Sequence, residues 1–344
     1  MNFLTDISYA HEPKIIAEIG INHDGSLERA KYLASLALDS GAHVIKTQLH
    51  IPHEEMSSVA KDLIPGHCDQ SIYSIMEECS LTIDEEMKLK DYIETQGGTY
   101  LSTPFSLKAA EVLHKDLGVQ AFKIGSGECN NLPLLKQIAS YSTPVILSTG
   151  MNDLISSKRS YNYLLQHGCP KVYLMHTTNI YPTSPELVRL GAISELQGIS
   201  SVDEVGLSDH TTSNLACLGA VALGAVLLER HFIDNKDHPG PDVSNSMTPQ
   251  ELLDLRESSV RMFQMRGGTK NSLLKEEEDT RDFAFATVVL TQDLPAGTVL
   301  MRSHLIPKRP RKGDFLASSL ENLLGRTLSS DLTKDTHLLT EHLI

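Results

Sequence analysis

KIIAEIGINHDGSLERAKYLASLALDSGAHVIKTQLH, residues 14–50, decides the fold. KIIAEIGIN (14–22) is a short isoleucine-rich run that reads as a strand. SLERAKYLASLALDSG follows with apolar residues at helical spacing, and HVIKTQLH (43–50) returns to a β-branched run. A strand, a helix and a second strand of these lengths form a parallel pair joined by a helical crossover. The turn after the first strand, EIGINHDGS, lacks the G-x-G-x-x-G spacing of a dinucleotide-binding sheet.

The same unit recurs down the chain. TYLSTPF (99–105), AFKIGSG (121–127), PVILSTG (144–150), VYLMHTT (172–178), VGLSDHT (205–211) and AVLLERHF (225–232) are further strands, with helical segments between them. A polar segment, 51–82, interrupts the rhythm and holds one helical piece, SIYSIMEECS; a looser stretch follows the sixth strand. Eight apolar strands, each leading to a helix, predict an α/β fold, a (β/α)8 TIM barrel over residues 1–265. RGGTKNSLLKEEEDT (266–280) is polar and reads as a linker. Residues 281–344 show short strands, an LPAG turn and a brief helix, SLENLLG, and predict a small β-rich module. A module of that size is near the lower limit for an independent core, so it is expected to dock on the barrel or another subunit.

Bulk properties narrow the function. The 344 residues carry a formal net charge of -14, which repels phosphate backbones, so no nucleic-acid partner is expected. No apolar run approaches the roughly 20 residues of a membrane span, and MNFLTDISYAHEPK has no signal-peptide core. The five cysteines, Cys68, Cys79, Cys129, Cys169 and Cys217, are scattered without CxxC spacing. They read as free thiols in a cytoplasmic protein without a membrane partner.

A barrel keeps its chemistry at the C-terminal ends of its strands. Those ends carry Glu18, Asn22 and His23; Lys46, Gln48 and His50; Ser102, Thr103 and Phe105; Lys123, Ser126 and Glu128; Ser148 and Thr149; His176, Asn179 and Tyr181; Ser208 and His210; Glu229 and His231. Side chains alternate along a strand, so Lys46, Gln48 and His50 share a face, as do Ser208 with His210 and Glu229 with His231. A lysine on a covered strand is costly unless paired. Lys46 and Lys123 therefore read as cations lining an anion pocket, with Thr103, Ser126, Ser148 and the amides of Gly125, Gly127 and Gly150 as a phosphate or carboxylate cradle. His210 and His231 end neighbouring strands, where two imidazoles can share a divalent metal. His176 reads as ligand, substrate contact or core histidine. Asp242, after the rigid Pro239-Gly240-Pro241 corner, reads as a base or a sugar-hydroxyl acceptor. The run Lys308-Arg309-Pro310-Arg311-Lys312 is either a solvated patch or a means of delivering an arginine to a site.

The ordered blocks EIGINHDG, KTQ, STPFS, KIGSGECNN, ILSTGM, HTTNIYPT, VGLSDHT, LERHF and DHPGPD resemble those of the sialic acid (N-acetylneuraminate) synthase family, over about residues 11–344. The tail, KRPRKGDF, resembles the antifreeze-like (SAF) domain of that family. The resemblance implies a condensation of phosphoenolpyruvate (PEP) with N-acetylmannosamine that gives N-acetylneuraminate and phosphate. It implies a manganese or magnesium ion on His210 and His231, acting on the sugar aldehyde, and a water that is metal-bound or oriented by Glu18. Lys46, Thr103, Lys123, Ser126, Ser148, Asn179 and Ser208 match PEP-binding positions. Glu128, Tyr181 and Asp242 match sugar-positioning residues, and Gln48 and Phe105 are assigned to the sugar as well. Arg309 matches an arginine that reaches the N-acetyl group in the partner of a domain-swapped homodimer.

Thr47, Leu49 and the form GPDVSNSM depart from common versions of the family's pattern, and all lie near the expected pocket. Related synthases of legionaminic and pseudaminic acid, which use 2,4-diacetamido-trideoxyhexoses, are therefore the alternative reading. A non-catalytic sugar-binding protein is disfavoured by the intact Glu18, Lys46, Lys123, His210 and His231. A pyruvate-dependent aldolase is disfavoured by the second lysine and the cradle.

Overall fold

The computed structural model describes residues 12–64, 70–199 and 205–344; Cys68 and the first eleven residues lie outside them. The chain divides into two compact units, Met1–Gly267 and Gly268–Ile344. In the first, β1 (Lys14–Gly20) leads through α1 (Leu27–Asp39) to β2 (Val44–Leu49). Next come α2 (Pro52–Glu55), α3 (Ile72–Cys79), α4 (Ile83–Thr95) and β3 (Thr99–Pro104). The alternation continues as α5 (Leu107–Lys115), β4 (Phe122–Ile124), α6 (Leu132–Ser140), β5 (Val145–Ser148), α7 (Leu154–Gln166) and β6 (Val172–Thr177). It ends with α8 (Ala192–Gln197), β7 (Val205–Asp209), α9 (Leu215–Ala222), β8 (Leu227–His231) and α10 (Pro249–Arg266).

The eight strands form one parallel sheet in the order β3-β2-β1-β8-β7-β6-β5-β4. β3 and β4 lie side by side at the seam, so the sheet curls into a TIM barrel. Local signals start the covering helices. Ser26 caps α1 by accepting from the Arg29 amide, and Thr82 with Glu85 and Thr248 with Glu251 close capping boxes on α4 and α10. Outward-facing strand residues such as Ile15, Ala17, Ile19, Ile45 and Phe122 pack against these helices in one large apolar cluster. A smaller cluster, including Ile16, Val44, Leu101, Ile146, Tyr173 and Leu227, fills the barrel interior. Among the described residues no helix is long and apolar enough to cross a membrane. The described cysteines, Cys79, Cys129, Cys169 and Cys217, are free.

The barrel has a polar inclusion on its outer side. Glu86 of α4 is buried against β2 and β3, where Tyr100 Oη donates to it at 2.7 Å and Thr47 Oγ1 at 3.4 Å. Burial raises its pKa to about 7, and the two hydrogen bonds offset this only in part. The folded state thus favours the proton. Stability from this group is complete below the unfolded carboxyl's pKa and is lost as pH rises through about 7. Glu86→Gln keeps an acceptor for Tyr100 and should flatten the stability loss between pH 5 and 8, worth up to about 3 kcal/mol. Denaturant titrations across that range check it; a variant with the wild-type slope excludes Glu86 as its source.

The second unit contains α11 (Glu278–Ala284) and an antiparallel pair, β9 (Thr287–Leu290) and β10 (Leu305–Lys308). Isolated bridges such as Val289 to His337 and Leu294 to Leu332 extend the β character. Val288, Leu290, Leu300, Leu305, Leu320 and Leu338 are part of its own core. One detail differs from the sequence reading. The stretch 266–280 is not a plain linker, because a 3-10 turn, Lys275–Glu277, runs into α11 at Glu278. Acidic residues at a helix start suit the helix dipole, which the polarity of the stretch concealed. The brief helix expected at SLENLLG is a 3-10 segment, Ala317–Leu323; Leu320 and Leu323, three apart, both reach the small core.

Candidate active site at the mouth of the barrel

Alternation along the strands builds the site. Ile16, Val44, Leu101, Ala121, Ile146 and Leu227 point into the barrel as an apolar layer. Two residues further along each strand stand Glu18, Lys46, Thr103, Lys123, Ser148 and Glu229, all buried. Pairing register sets them in a staggered layer: Glu18 lies opposite Lys46 on one side and His231 on the other, Ser208 lies opposite Glu229, and Glu229 lies opposite Ile16. Glycine is required twice beside them. A Cβ on Gly206 would lie 2.4 Å from Met175 Sδ, and one on Gly150 would lie 1.8 Å from Asn179 Oδ1.

Opposite charges fill this layer. Lys46 Nζ is 2.5 Å from Glu18 Oε2 and 3.8 Å from Glu229 Oε1. Lys123 Nζ is 3.3 Å from the same Glu229 oxygen and donates to Ser148 Oγ at 2.8 Å. Ser208 Oγ also donates to Glu229, at 3.2 Å. Burial opposes the charge on Lys46, but Glu18 and Glu229 outweigh it and hold its pKa above the ordinary value. Burial likewise opposes charge on Glu229, and Lys123 and Lys46 outweigh it, holding the carboxyl well below its ordinary range. Lys123 goes the other way: burial dominates and lowers its pKa. Lys46 donates to Thr103 Oγ1 at 3.2 Å, and the Gly150 amide donates to Ser126 Oγ at 3.1 Å. These groups line a cavity of about 150 Å³ together with Asn179, Tyr181, His210 and His231.

The histidine rings stand 5.6 Å apart, centroid to centroid, with the Tyr181 ring 4.1 Å from that of His210. His210 Nδ1 lies 2.8 Å from the Thr178 carbonyl and donates to it, so Nε2 carries the lone pair. Burial, with His231 nearby, lowers the His210 pKa to about 3, and the ring is neutral at physiological pH. His231 Nδ1 is buried without a hydrogen-bond partner and stands 3.6 Å from Asp242 Oδ2. The loop that carries His210 is held by Arg230, which points outward from β8 and is fully buried. Its guanidinium donates to the Thr211 carbonyl at 2.7 Å and to Asn214 Oδ1 at 2.6 Å. A second cavity, about 320 Å³, opens beside the first; Gln48, Phe105, Tyr181 and His231 line both. Asp242 and His50 line the second alone, and His50 stacks on Phe105 at 4.3 Å.

The barrel thus brings together Glu18, Lys46, Gln48, Thr103, Phe105, Lys123, Ser126, Ser148, Asn179, Tyr181, Ser208, His210 and His231, with Asp242 adjacent. Glu128 lines neither cavity. It ends the 3-10 turn Ser126–Glu128, and Asn131 Nδ2 donates to it at 2.5 Å. His176 faces away from the centre, with Nε2 2.6 Å from the Val188 carbonyl, and burial lowers its pKa. Arg309 belongs to the second unit and is exposed, between Lys308, which pairs with Asp335, and Arg311, which pairs with Asp282. The sequence reading noted Glu229 at the end of β8 but gave it no role. Its spacing from His231 already placed it inward, which was the available signal.

Comparison with known proteins follows the same division. The NeuB family model matches residues 33–271, and the SAF domain model matches residues 285–344. The chain is 35% identical to an N,N'-diacetyllegionaminic acid synthase of Campylobacter jejuni, covering 93% of this chain and 97% of that one. It is 30% identical to the human N-acetylneuraminate-9-phosphate synthase, covering 96% and 92%. Among solved structures it is similar to an N-acetylneuraminic acid (sialic acid) synthetase of Leptospira borgpetersenii. That match has a TM-score of 0.71 at 26% identity and covers 78% of this chain and 90% of that one.

Proposed function

The chain belongs to the NeuB family of PEP-utilising sugar synthases, and on that premise we propose that it condenses PEP with an N-acetylated hexosamine and releases phosphate. The observation that carries this reading is the convergence of two buried lysines, Lys46 and Lys123, beside the His210–His231 pair. The acceptor proposed is N-acetylmannosamine or a 2,4-diacetamido-trideoxyhexose; relatives named for N-acetylneuraminic acid and for N,N'-diacetyllegionaminic acid match over most of the chain.

In this reading Lys46 and Lys123 hold the phosphate and carboxylate of PEP, and Thr103, Ser126, Ser148, Asn179 and Ser208 donate to its oxygens. The methylene carbon of PEP bonds to the aldehyde carbon of the open-chain sugar, whose oxygen takes a proton. Water adds to C2 of PEP, the C2–O bond breaks, and phosphate leaves with that oxygen, so a keto acid remains. Glu18 orients the water and accepts its proton. Gln48, Phe105, Tyr181 and Asp242, which line the cavities, position the sugar, and Glu128, turned to Asn131, is left without that role. Arg309 is proposed to act on the N-acetyl group from a domain-swapped homodimer partner, which gives its exposed position a purpose.

A divalent ion, manganese or magnesium, is proposed at His210 and His231. The unpartnered Nδ1 of His231 and the fixed tautomer of His210 suit it. His210 Nε2 and His231 Nδ1 would supply two ligands to such an ion. When bound, the ion polarises the sugar carbonyl as a Lewis acid. The reaction is assigned to the cytoplasm, a setting that suits the free thiols of Cys79, Cys129, Cys169 and Cys217.

The test supplies PEP with each candidate hexosamine, follows phosphate release and identifies the product by mass. One phosphate per keto acid is expected, with activity lost on chelation and restored by manganese. Activity that survives exhaustive chelation removes the ion from the reaction. Release with no hexosamine overturns the functional reading.

A further inference from the structure

α3 carries Ile72, Ile75 and Met76 at i, i+3 and i+4, which is one face of a helix. Such a face ordinarily packs into a core. None of the three joins the clusters that fill or cover the barrel; all are half-buried and line the second cavity instead. Ile21, from the turn after β1, continues the wall. Asp242 and Gln48 give the same cavity polar groups. Lys46 and Glu18 line only the first cavity and the α3 residues only the second, with His231 at the junction.

This arrangement orients the acceptor, given the condensation proposed above. The aldehyde carbon must meet the carbon of PEP held by the lysines, so it lies at the junction. The rest of the sugar then extends into the second cavity, and C6, farthest from the aldehyde, reaches α3. We propose that Ile72, Ile75 and Met76 select a hexosamine ending in a methyl group, a 6-deoxy acetamidohexose, over one ending in a hydroxymethyl group. Aliphatic side chains and a thioether offer a hydroxyl almost nothing to replace water, whereas a methyl group gains contact there. Asp242 and Gln48 serve the hydroxyl and amide groups along the middle of the sugar.

The test compares kcat/KM, read by phosphate release, for N-acetylmannosamine and its 6-deoxy analogue, which differ by one oxygen. The 6-deoxy sugar should be favoured about ten-fold or more. Met76→Gln is similar in length and brings an amide to the wall, so it should narrow that ratio by lowering KM for N-acetylmannosamine. A wild-type ratio at or below one overturns the proposal. So does a ratio left unchanged by both Met76→Gln and Ile72→Asn. If only 2,4-diacetamido-2,4,6-trideoxymannose turns over, the same comparison is made with its 6-hydroxy counterpart. Phosphate release with none of these sugars overturns the functional reading, and this selection with it; equal turnover of the paired sugars overturns the selection alone.

Discussion

Glu18→Gln should lower kcat by about 10³-fold while the barrel stays folded and PEP still binds. Glu18 lies 2.5 Å from Lys46 Nζ, and its other oxygen accepts from Gln48 Nε2 at 2.9 Å. Glutamine has the same shape and keeps an acceptor for Gln48, but its NH2 then faces the Lys46 ammonium, so some stability is lost while the fold is kept. It has no carboxylate to take a proton from water. One negative charge also leaves the layer shared by Lys46, Lys123 and Glu229, so PEP affinity should hold or rise. Calorimetry with PEP alone separates the two effects from turnover. A kcat near wild type removes Glu18 from proton transfer, and loss of PEP binding would assign it to binding instead.

That argument uses the feature most legible in the sequence. The period of two along a strand placed Lys46 with Gln48, Ser208 with His210 and Glu229 with His231 on common faces, and the barrel turns those faces inward. The eight-unit rhythm similarly required the strand ends to meet. What periodicity does not carry is how residues on non-adjacent strands meet. β4 and β8 are separated by three strands in the sheet, and only curling brings Lys123 to Glu229. Glu128 shows the converse: it follows β4 directly, but a 3-10 turn directs its carboxylate to Asn131. In SIYSIMEECS the helix was legible, and its apolar spacing suggests a core face. That this face borders a cavity depends on what packs opposite, which the spacing leaves open.

Lys123→Met should cost both activity and stability, and adding Glu229→Gln should restore only the second. Lys123 and Glu229 are buried at 3.3 Å, so removing the lysine leaves a carboxylate with Ser208 at 3.2 Å and Lys46 at 3.8 Å. Breaking a buried pair from one side typically costs about 3 kcal/mol or more, because the remaining charge is uncompensated. Replacing both members is often close to neutral, because both desolvation penalties vanish together. Denaturant titration of the two single variants and the double variant reads this directly: the double should be more stable than Lys123→Met alone. Phosphate release should stay about 10³-fold below wild type in Lys123→Met and in the double variant, since the cation proposed to meet PEP is gone in both. A double variant that regains turnover would show that Lys123 serves only to neutralise Glu229. One that is no more stable than Lys123→Met would show that the pair is not coupled as its distance indicates.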